Sequence, residues 1–166
     1  MPGPLATLLV PERITLTVQN TEHIAALSEV AHLLKGHPDV TDFRGFYDEL
    51  LARERIDATC LGDQIAIPHA RTEHVAGIVM AVGRSDRGVR FGNSDEEVRM
   101  MFVLGTPKSN ASGYLQVVGA LCRIIKDPAN RRALLLAPTA TDFLQVLSDL
   151  EARVLGPRPS PMPARP

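Results

Sequence analysis

Five histidines are the side chains of this sequence best suited to chemistry near neutral pH, and His69 has the most unusual neighbours. Residues 62–71 read GDQIAIPHAR, so a short apolar run stops at Pro68. A neutral imidazole is nucleophilic and exchanges protons near pH 7. Proline removes a backbone donor and keeps the preceding residue extended, which predicts that His69 emerges at the end of a buried strand.

The two residues after His69 fit a phosphoryl group. Ala70 is small and would leave space over the imidazole ring for a partner or a phosphoryl group. Arg71 adds a permanent cation whose planar fork suits phosphate oxygens. From spacing alone a structural role for His69 stays open, because a single histidine at a strand end is often structural.

The other histidines and the cysteines do not indicate a metal site. His23 and His32 fall in a predicted surface helix and His37 in a Gly-His-Pro turn, so we expect solvated or partly packed rings. Neither a Cys pair nor a His-x-x-x-His spacing is present, so no metal and no cofactor are predicted. Cys60 and Cys122 are far apart in sequence, which favours a reduced, cytoplasmic compartment.

Composition places the chain among ordinary globular domains. It has 166 residues, 45% hydrophobic and 22% charged, with a formal net charge of −1. That balance suggests neither nucleic acid nor an anionic membrane surface as a partner. The apolar run LATLLV is too short for a membrane span and has no basic residue before it, so we expect no signal peptide.

Strands and helices follow one another along the chain. Alternation predicts a strand over residues 13–19, and a helix follows to about residue 34, with Asn20 and Thr21 as candidate caps. A second helix is predicted to begin at Thr41 or Asp42. Its expected buried stripe consists of Phe43, Phe46, Leu50 and Leu51.

The second half of the chain predicts two strands and then three helices. The strands cover residues 77–85 and 98–106, and a turn lies between them. The first of the helices has a stripe of Leu115, Val118, Leu121, Ile124 and Ile125; Asp127-Pro128 opens the second, and Phe143 to Leu150 marks the third. Mixed strands and helices indicate an α/β layered domain over residues 1–155. Residues 156–166 are rich in proline and predict a disordered tail or linker remnant.

Residues 51–70, LARERIDATCLGDQIAIPHA, resemble the active-site signature of a known family. The family is the EIIA components of the fructose, mannitol and nitrogen-regulatory type in the bacterial phosphoenolpyruvate-dependent phosphotransferase system. The resemblance extends more weakly from about residue 5 to 154, through LLVPERITLTV, VRMMFVLGTP and YLQVVGALCRIIKD. It implies a mixed β-sheet flanked by helices and a phosphoryl relay in which His69 is the phosphorylated histidine.

The resemblance also implies a set of residues around His69. Arg53 matches the arginine that mannitol-type members place beside their active histidine, and Arg71 belongs to the PHAR form of the nitrogen-regulatory branch. Thr59 could offer a hydroxyl to the imidazole or phosphate. Tyr114 stands where many members carry a second histidine, and a tyrosine does not exchange protons near pH 7 as an imidazole does. Each also has a plain alternative: a solvated arginine, a turn-forming threonine or a packed aromatic ring.

Three functions remain open at this point. In the first, an HPr-like phosphocarrier phosphorylates His69 and an EIIB domain takes the group toward a sugar, so that the membrane is involved only through a permease complex. In the second, the protein is a regulatory module whose phosphorylation state selects target proteins. In the third, the domain binds a partner and His69 is no longer phosphorylated.

Overall fold

A six-stranded mixed sheet forms the centre of the protein in a computed structural model that describes residues 3–56, 59–91 and 97–156. The strands are β1 (Ile14–Thr15), β2 (Cys60–Gly62), β3 (Ile65–Ala66), β4 (His69–Thr72), β5 (Val79–Arg90) and β6 (Glu97–Pro107). The long strands β5 and β6 pair antiparallel. Strand β1 joins β5 in parallel, and β3 and β4 both join the other side of β6 in parallel, with β2 antiparallel to β3.

Helices cover both faces of this sheet. In the described part of the chain they are α1 (His23–Ala31), α2 (Phe43–Ile56), α3 (Ala111–Ile125), α4 (Pro128–Leu136) and α5 (Ala140–Leu155). Short 3-10 turns occupy Ala6–Leu8, Pro11–Arg13 and His32–Leu34. Buried side chains form one core between the sheet and α3, α4 and α5, and a second core between the sheet and α1 and α2. The predicted fold class, a mixed sheet flanked by helices in a single layered domain, is confirmed.

Helix α2 follows its sequence pattern closely. Asp42 precedes the helix and accepts a hydrogen bond from the amide of Gly45 at 3.1 Å, as an N-terminal cap does. Phe46 and Leu50 are fully buried, and Phe43 and Leu51 pack at the edge of the same core. The strands predicted over 77–85 and 98–106 and the three C-terminal helices are also present.

The N-terminal segment differs from its prediction. The strand predicted over residues 13–19 is regular only at Ile14–Thr15, although the amide of Val18 still bonds to the Arg84 carbonyl. Glu22, and not Asn20 or Thr21, caps α1, because its carboxylate accepts from the amides of two residues in the first turn. These hydrogen bonds lower the pKa of Glu22, since they stabilise the charged carboxylate.

Strands β3 and β4 form one line along β6 that is interrupted at Ile67 and Pro68. The register is the same on both sides of the break, with Ala66 opposite Met101 and His69 opposite Leu104. Pro68 cannot donate to the ladder, but its carbonyl accepts from the Leu104 amide at 2.9 Å. The prediction that His69 ends a strand is therefore wrong: it is the first residue of the strand that resumes after the proline.

The C-terminal boundary was predicted at residue 155, and α5 ends at Leu155. Residues 157–166 of the predicted tail lie outside the described residues, so the division into a domain and a tail stays a prediction. Among the described residues, no helix is both long and apolar enough to cross a membrane.

Candidate active site

His69 is held in one tautomer by its own backbone segment. Its Nδ1 lies 2.8 Å from the carbonyl oxygen of Ile67. A carbonyl oxygen only accepts, so Nδ1 carries the proton and donates it. In the neutral ring the lone pair is therefore on Nε2, and the side chain is half-buried at the break between β3 and β4. The arrangement presents a nucleophilic nitrogen in a fixed direction.

Tyr114 meets that nitrogen from α3. Its hydroxyl lies 2.8 Å from Nε2 of His69, and the two ring centroids are 5.1 Å apart. Because Nε2 has the lone pair, the tyrosine hydroxyl donates. Asn110 fixes the start of α3 by accepting from the Gly113 amide at 3.0 Å, so Tyr114 is in the first turn of a well-capped helix. The structure thus brings together two of the predicted site residues.

Ala70 does not lie over the imidazole as predicted. Side chains alternate along a strand, so His69 faces the core of α3 while Ala70 faces the opposite core. Ala70 is buried there among side chains of the α1 and α2 side. The partial exposure of the imidazole therefore does not depend on the small size of Ala70.

The two predicted arginines are on different elements. Arg71 is two residues beyond His69 in β4, on the same side of the strand. It is exposed, and its Nη2 donates to the carbonyl of Lys108, in the turn between β6 and α3, at 3.2 Å. Arg53 is half-buried on the last turn of α2, the helix that packs on the opposite face of the sheet from α3.

The Thr59 hydroxyl is engaged by a residue that sequence reasoning missed. It donates to Oε2 of Glu54 at 3.0 Å, and the Thr59 amide donates to Oε1 of the same carboxylate at 3.2 Å. The backbone of Thr59 does face the site, because its carbonyl accepts from the Ile67 amide at 2.9 Å. Thr59 therefore supports the segment before His69 through its main chain.

His23 was predicted to be a surface histidine, and this is wrong. It is 8% exposed, its Nε2 lies 2.9 Å from Oε1 of Glu54, and its ring stacks on Phe91 with centroids 3.9 Å apart. One sequence signal pointed to Glu54. A carboxylate in the last turn of a helix is unfavourable beside the negative end of the helix dipole, so it needs a specific partner.

The remaining polar clusters do not form a metal site in the described part of the chain. No group of three or more His, Cys, Asp or Glu side chains there is arranged to hold a metal ion. His32, just after the end of α1, bonds to the Ser28 carbonyl in the last turn of that helix, and His37 accepts from the Asp39 amide. Burial lowers the pKa of His37. Both cysteines are free thiols.

The sequence and fold together place this domain in the phosphotransferase system. The family model described as "Phosphoenolpyruvate-dependent sugar phosphotransferase system, EIIA 2" matches residues 7–150. The chain belongs to this family, as its sequence resemblance implied.

Proteins named nitrogen regulatory proteins and a protein named enzyme IIAMTL are similar to it. The nitrogen regulatory protein of Pseudomonas aeruginosa is 28% identical over 148 residues, covering 89% of this chain and 96% of that protein. The crystal structure of nitrogen regulatory protein IIA-Ntr from Neisseria meningitidis has a TM-score of 0.79 at 23% identity. The match covers 87% of this chain and 99% of that one. The structure of enzyme IIAMTL in complex with phosphorylated enzyme IIBMTL from Escherichia coli has a TM-score of 0.73 at 22% identity. The match covers 85% of this chain and 97% of that one.

Proposed function

We propose that this protein is a histidine phosphocarrier that accepts a phosphoryl group on Nε2 of His69 from HPr or its nitrogen-branch relative. In the first form of the proposal an EIIB domain then takes the group in sugar uptake. The observation that carries the proposal is the hydrogen bond from Nδ1 of His69 to the Ile67 carbonyl at 2.8 Å, which leaves Nε2 unprotonated. Such a relay operates in the cytoplasm, where the two free thiols would stay reduced.

The transfer step needs no general base. The Nε2 lone pair forms a bond to phosphorus while the bond from phosphorus to the donor breaks, and that electron pair leaves with the donor. The imidazole keeps its Nδ1 proton and gains positive charge during attack. The Ile67 carbonyl stabilises this charge, because a hydrogen bond to a carbonyl strengthens as the donor becomes more positive.

The surroundings of Nε2 suit the phosphoryl oxygens. The N-terminal end of α3 brings the positive end of a helix dipole to the site beside Tyr114. Arg71 and Lys108 add exposed cations on the β4 and β6 side. We assign Arg53, at the end of α2, a supporting role on the strength of its family match. Transfer of a phosphoryl group depends mostly on positioning and on charge stabilisation of this kind.

A regulatory role is the second candidate, and Tyr114 favours it. The Tyr114 hydroxyl contacts Nε2, and by the family resemblance Tyr114 matches the second histidine of many members. A tyrosine does not exchange protons near pH 7 as that histidine would, so onward transfer would be slower. The P. aeruginosa relative is named a nitrogen regulatory protein. Phosphorylation would add negative charge at the surface near His69 and change which partner fits it. In this form the phosphorylated and free states bind different target proteins.

Phosphorylation of the purified chain tests the shared part of both forms. With labelled phosphoenolpyruvate, Enzyme I and HPr, we expect acid-labile label on the protein, and ¹⁵N NMR should place the phosphoryl group on Nε2 of His69. Loss of label to an added EIIB domain supports transport. Stable label, with a target bound in only one state, supports regulation. A folded protein that takes no label from an active donor overturns the proposal.

Replacing Tyr114 with phenylalanine tests the hydroxyl that contacts Nε2. The hydroxyl donates to Nε2 in the free protein and, after transfer, would donate to a phosphoryl oxygen, where a charged acceptor makes the bond stronger. We expect Tyr114→Phe to lower the equilibrium constant for phosphoryl transfer from HPr to His69 on the order of tenfold. The measurement is the labelled fraction at several ratios of phosphorylated to free HPr.

Tyr47, the other tyrosine of the chain, offers the matched control. Its hydroxyl donates to Ser28 Oγ at 2.8 Å, between α2 and α1, so Tyr47→Phe removes a similar bond on the other helical layer. This variant should equilibrate with HPr as the wild type does. Equal behaviour of both variants would mean that the Tyr114 hydroxyl does not act on the phosphoryl group.

A further inference from the structure

Three donors converge on one buried carboxylate, which is linked to His69 through Thr59 and Ile67. The Glu54 side chain is fully buried, and it accepts from Nε2 of His23 and from both the amide and the hydroxyl of Thr59. His23 is the first residue of α1, Glu54 is in the last turn of α2, and Thr59 immediately precedes β2. One carboxylate thus ties together three separate elements of the chain.

A continuous series of hydrogen bonds leads from this carboxylate to His69. Glu54 holds the Thr59 amide and hydroxyl, and the Thr59 carbonyl accepts from the Ile67 amide at 2.9 Å. The Ile67 carbonyl in turn accepts from Nδ1 of His69 at 2.8 Å. Since Pro68 has no N–H, the segment before His69 depends on these bonds and on the Leu104 amide for its position.

His23 fixes the far side of Glu54. It stacks on Phe91 and is held in the second core, so its ring cannot turn away without breaking that packing. The carboxylate is therefore held between a packed ring and the Thr59 backbone. A buried carboxylate with hydrogen bonds to all its neighbours keeps one geometry, whereas loss of one partner leaves polar groups unpaired.

We propose that Glu54, held by His23, is a positioning residue for His69, and that it acts through Thr59 and the Ile67 carbonyl to keep the Nδ1 proton in place and Nε2 free for phosphoryl transfer. This inference rests on the proposed function for its kinetic part only. The tautomer of His69 is a property of the unphosphorylated protein. The two ideas can therefore fail separately.

Glu151 provides a matched control for the loss of a buried carboxylate. It is 2% exposed, as Glu54 is, and it also accepts from backbone amides, those of Leu5 and Ala6. It joins α5 to the N-terminal segment. Removing Glu151 therefore tests the general cost of losing a buried carboxylate without changing the bonds that hold Ile67 and His69.

The experiment compares Glu54→Ala with Glu151→Ala by ¹⁵N NMR of the neutral His69 ring and by the rate of phosphorylation from HPr. We expect Glu54→Ala to give a mixture of the two ring tautomers and a rate lower by about ten- to a hundredfold, because a small displacement of a reacting group is costly. Glu151→Ala should change neither. A folded Glu54→Ala protein with the wild-type spectrum and rate overturns the inference.

A milder pair of variants covers the case in which Glu54→Ala does not fold. Thr59→Val removes only the hydroxyl bond to Glu54 and keeps the side-chain volume, while Thr59→Ser keeps the hydroxyl. We expect a smaller change in the same direction for Thr59→Val and recovery in Thr59→Ser. Equal tautomer populations and rates in both variants overturn the inference. A wild-type protein that is never phosphorylated, but whose tautomer still responds to these variants, refutes the proposed function and leaves the positioning role standing.

Discussion

Replacing His69 with alanine is expected to abolish acid-labile phosphorylation of the chain by phosphorylated HPr. The proposed bond forms at Nε2, and alanine offers neither a nucleophile nor a group that can stand in for one. The rate should fall on the order of a thousandfold or more, to the background of the assay. The folded state should persist, because His69 is half-buried at a break between strands and its removal leaves both cores intact.

His32→Ala is the matched control for this loss. His32 is exposed, and its Nδ1 bonds to the Ser28 carbonyl at 2.7 Å, so it has the same kind of backbone partner as His69. It contacts Phe43 and Tyr47 on the other helical layer. This variant should take label at the wild-type rate. Acid-labile label on His69→Ala would mean that another histidine is the acceptor.

The position of His69 follows from local sequence because its determinants are local. An apolar run, a proline and a histidine come in direct succession, and the carbonyl that fixes Nδ1 belongs to Ile67, two residues away. Alternation along the strand then sets the face on which His69 lies. What local sequence does not indicate is that the strand resumes after Pro68, because that depends on pairing with β6.

The contact between His23 and Glu54 was not predicted because the two residues are distant in sequence. His23 and Glu54 are separated by 31 positions and meet only after α1 and α2 pack on the same face of the sheet. From helical periodicity alone, a histidine at the start of a helix is expected to be solvated, and the sequence neighbours of His23 do not indicate that it is buried. The charge of Glu54 at the wrong end of a helix was the available signal.

The Tyr114 contact shows what the family resemblance adds to physical reasoning. Composition and periodicity place Tyr114 near the start of a helix, but they indicate no hydrogen-bond partner for its hydroxyl. Alignment to the family pattern points to the second histidine position, and the structure brings the tyrosine hydroxyl within 2.8 Å of Nε2. The role of that contact in phosphoryl transfer is what Tyr114→Phe measures.

The stripe predicted for α3 was partly wrong, and the error has a geometric cause. Leu121 is fully buried and Ile124 also, but Leu115 is 65% exposed. A helix turns by about 100° per residue, so positions three apart drift by about 60° at each step. Two such steps carry Leu115 well away from the row centred on Leu121. Val117 and Ala120 occupy the buried row instead.

Leu121→Ala should therefore lower the free energy of unfolding by about 2–5 kcal/mol, the largest stability effect we expect from one substitution in α3. The side chain packs in the core that includes Phe102 and Phe143, which leaves a cavity when it is removed. Thermal and denaturant unfolding measure the loss. A change of less than about 1 kcal/mol would mean that α3 is not packed on the sheet as described.

Leu115→Ala makes the same chemical change on the same helix and separates stability from function. With its side chain mostly in solvent, the substitution should alter the unfolding free energy by no more than about 0.5 kcal/mol. Leu115 follows Tyr114 in α3, so under the proposed function this exposed apolar group is near the surface that a docking phosphocarrier would contact. We expect this variant to need a higher HPr concentration for half-maximal phosphorylation, whereas Leu121→Ala, measured well below its melting temperature, should not. A loss of stability in Leu115→Ala as large as in Leu121→Ala, with no change in the HPr requirement, would place Leu115 in the core as the original stripe predicted.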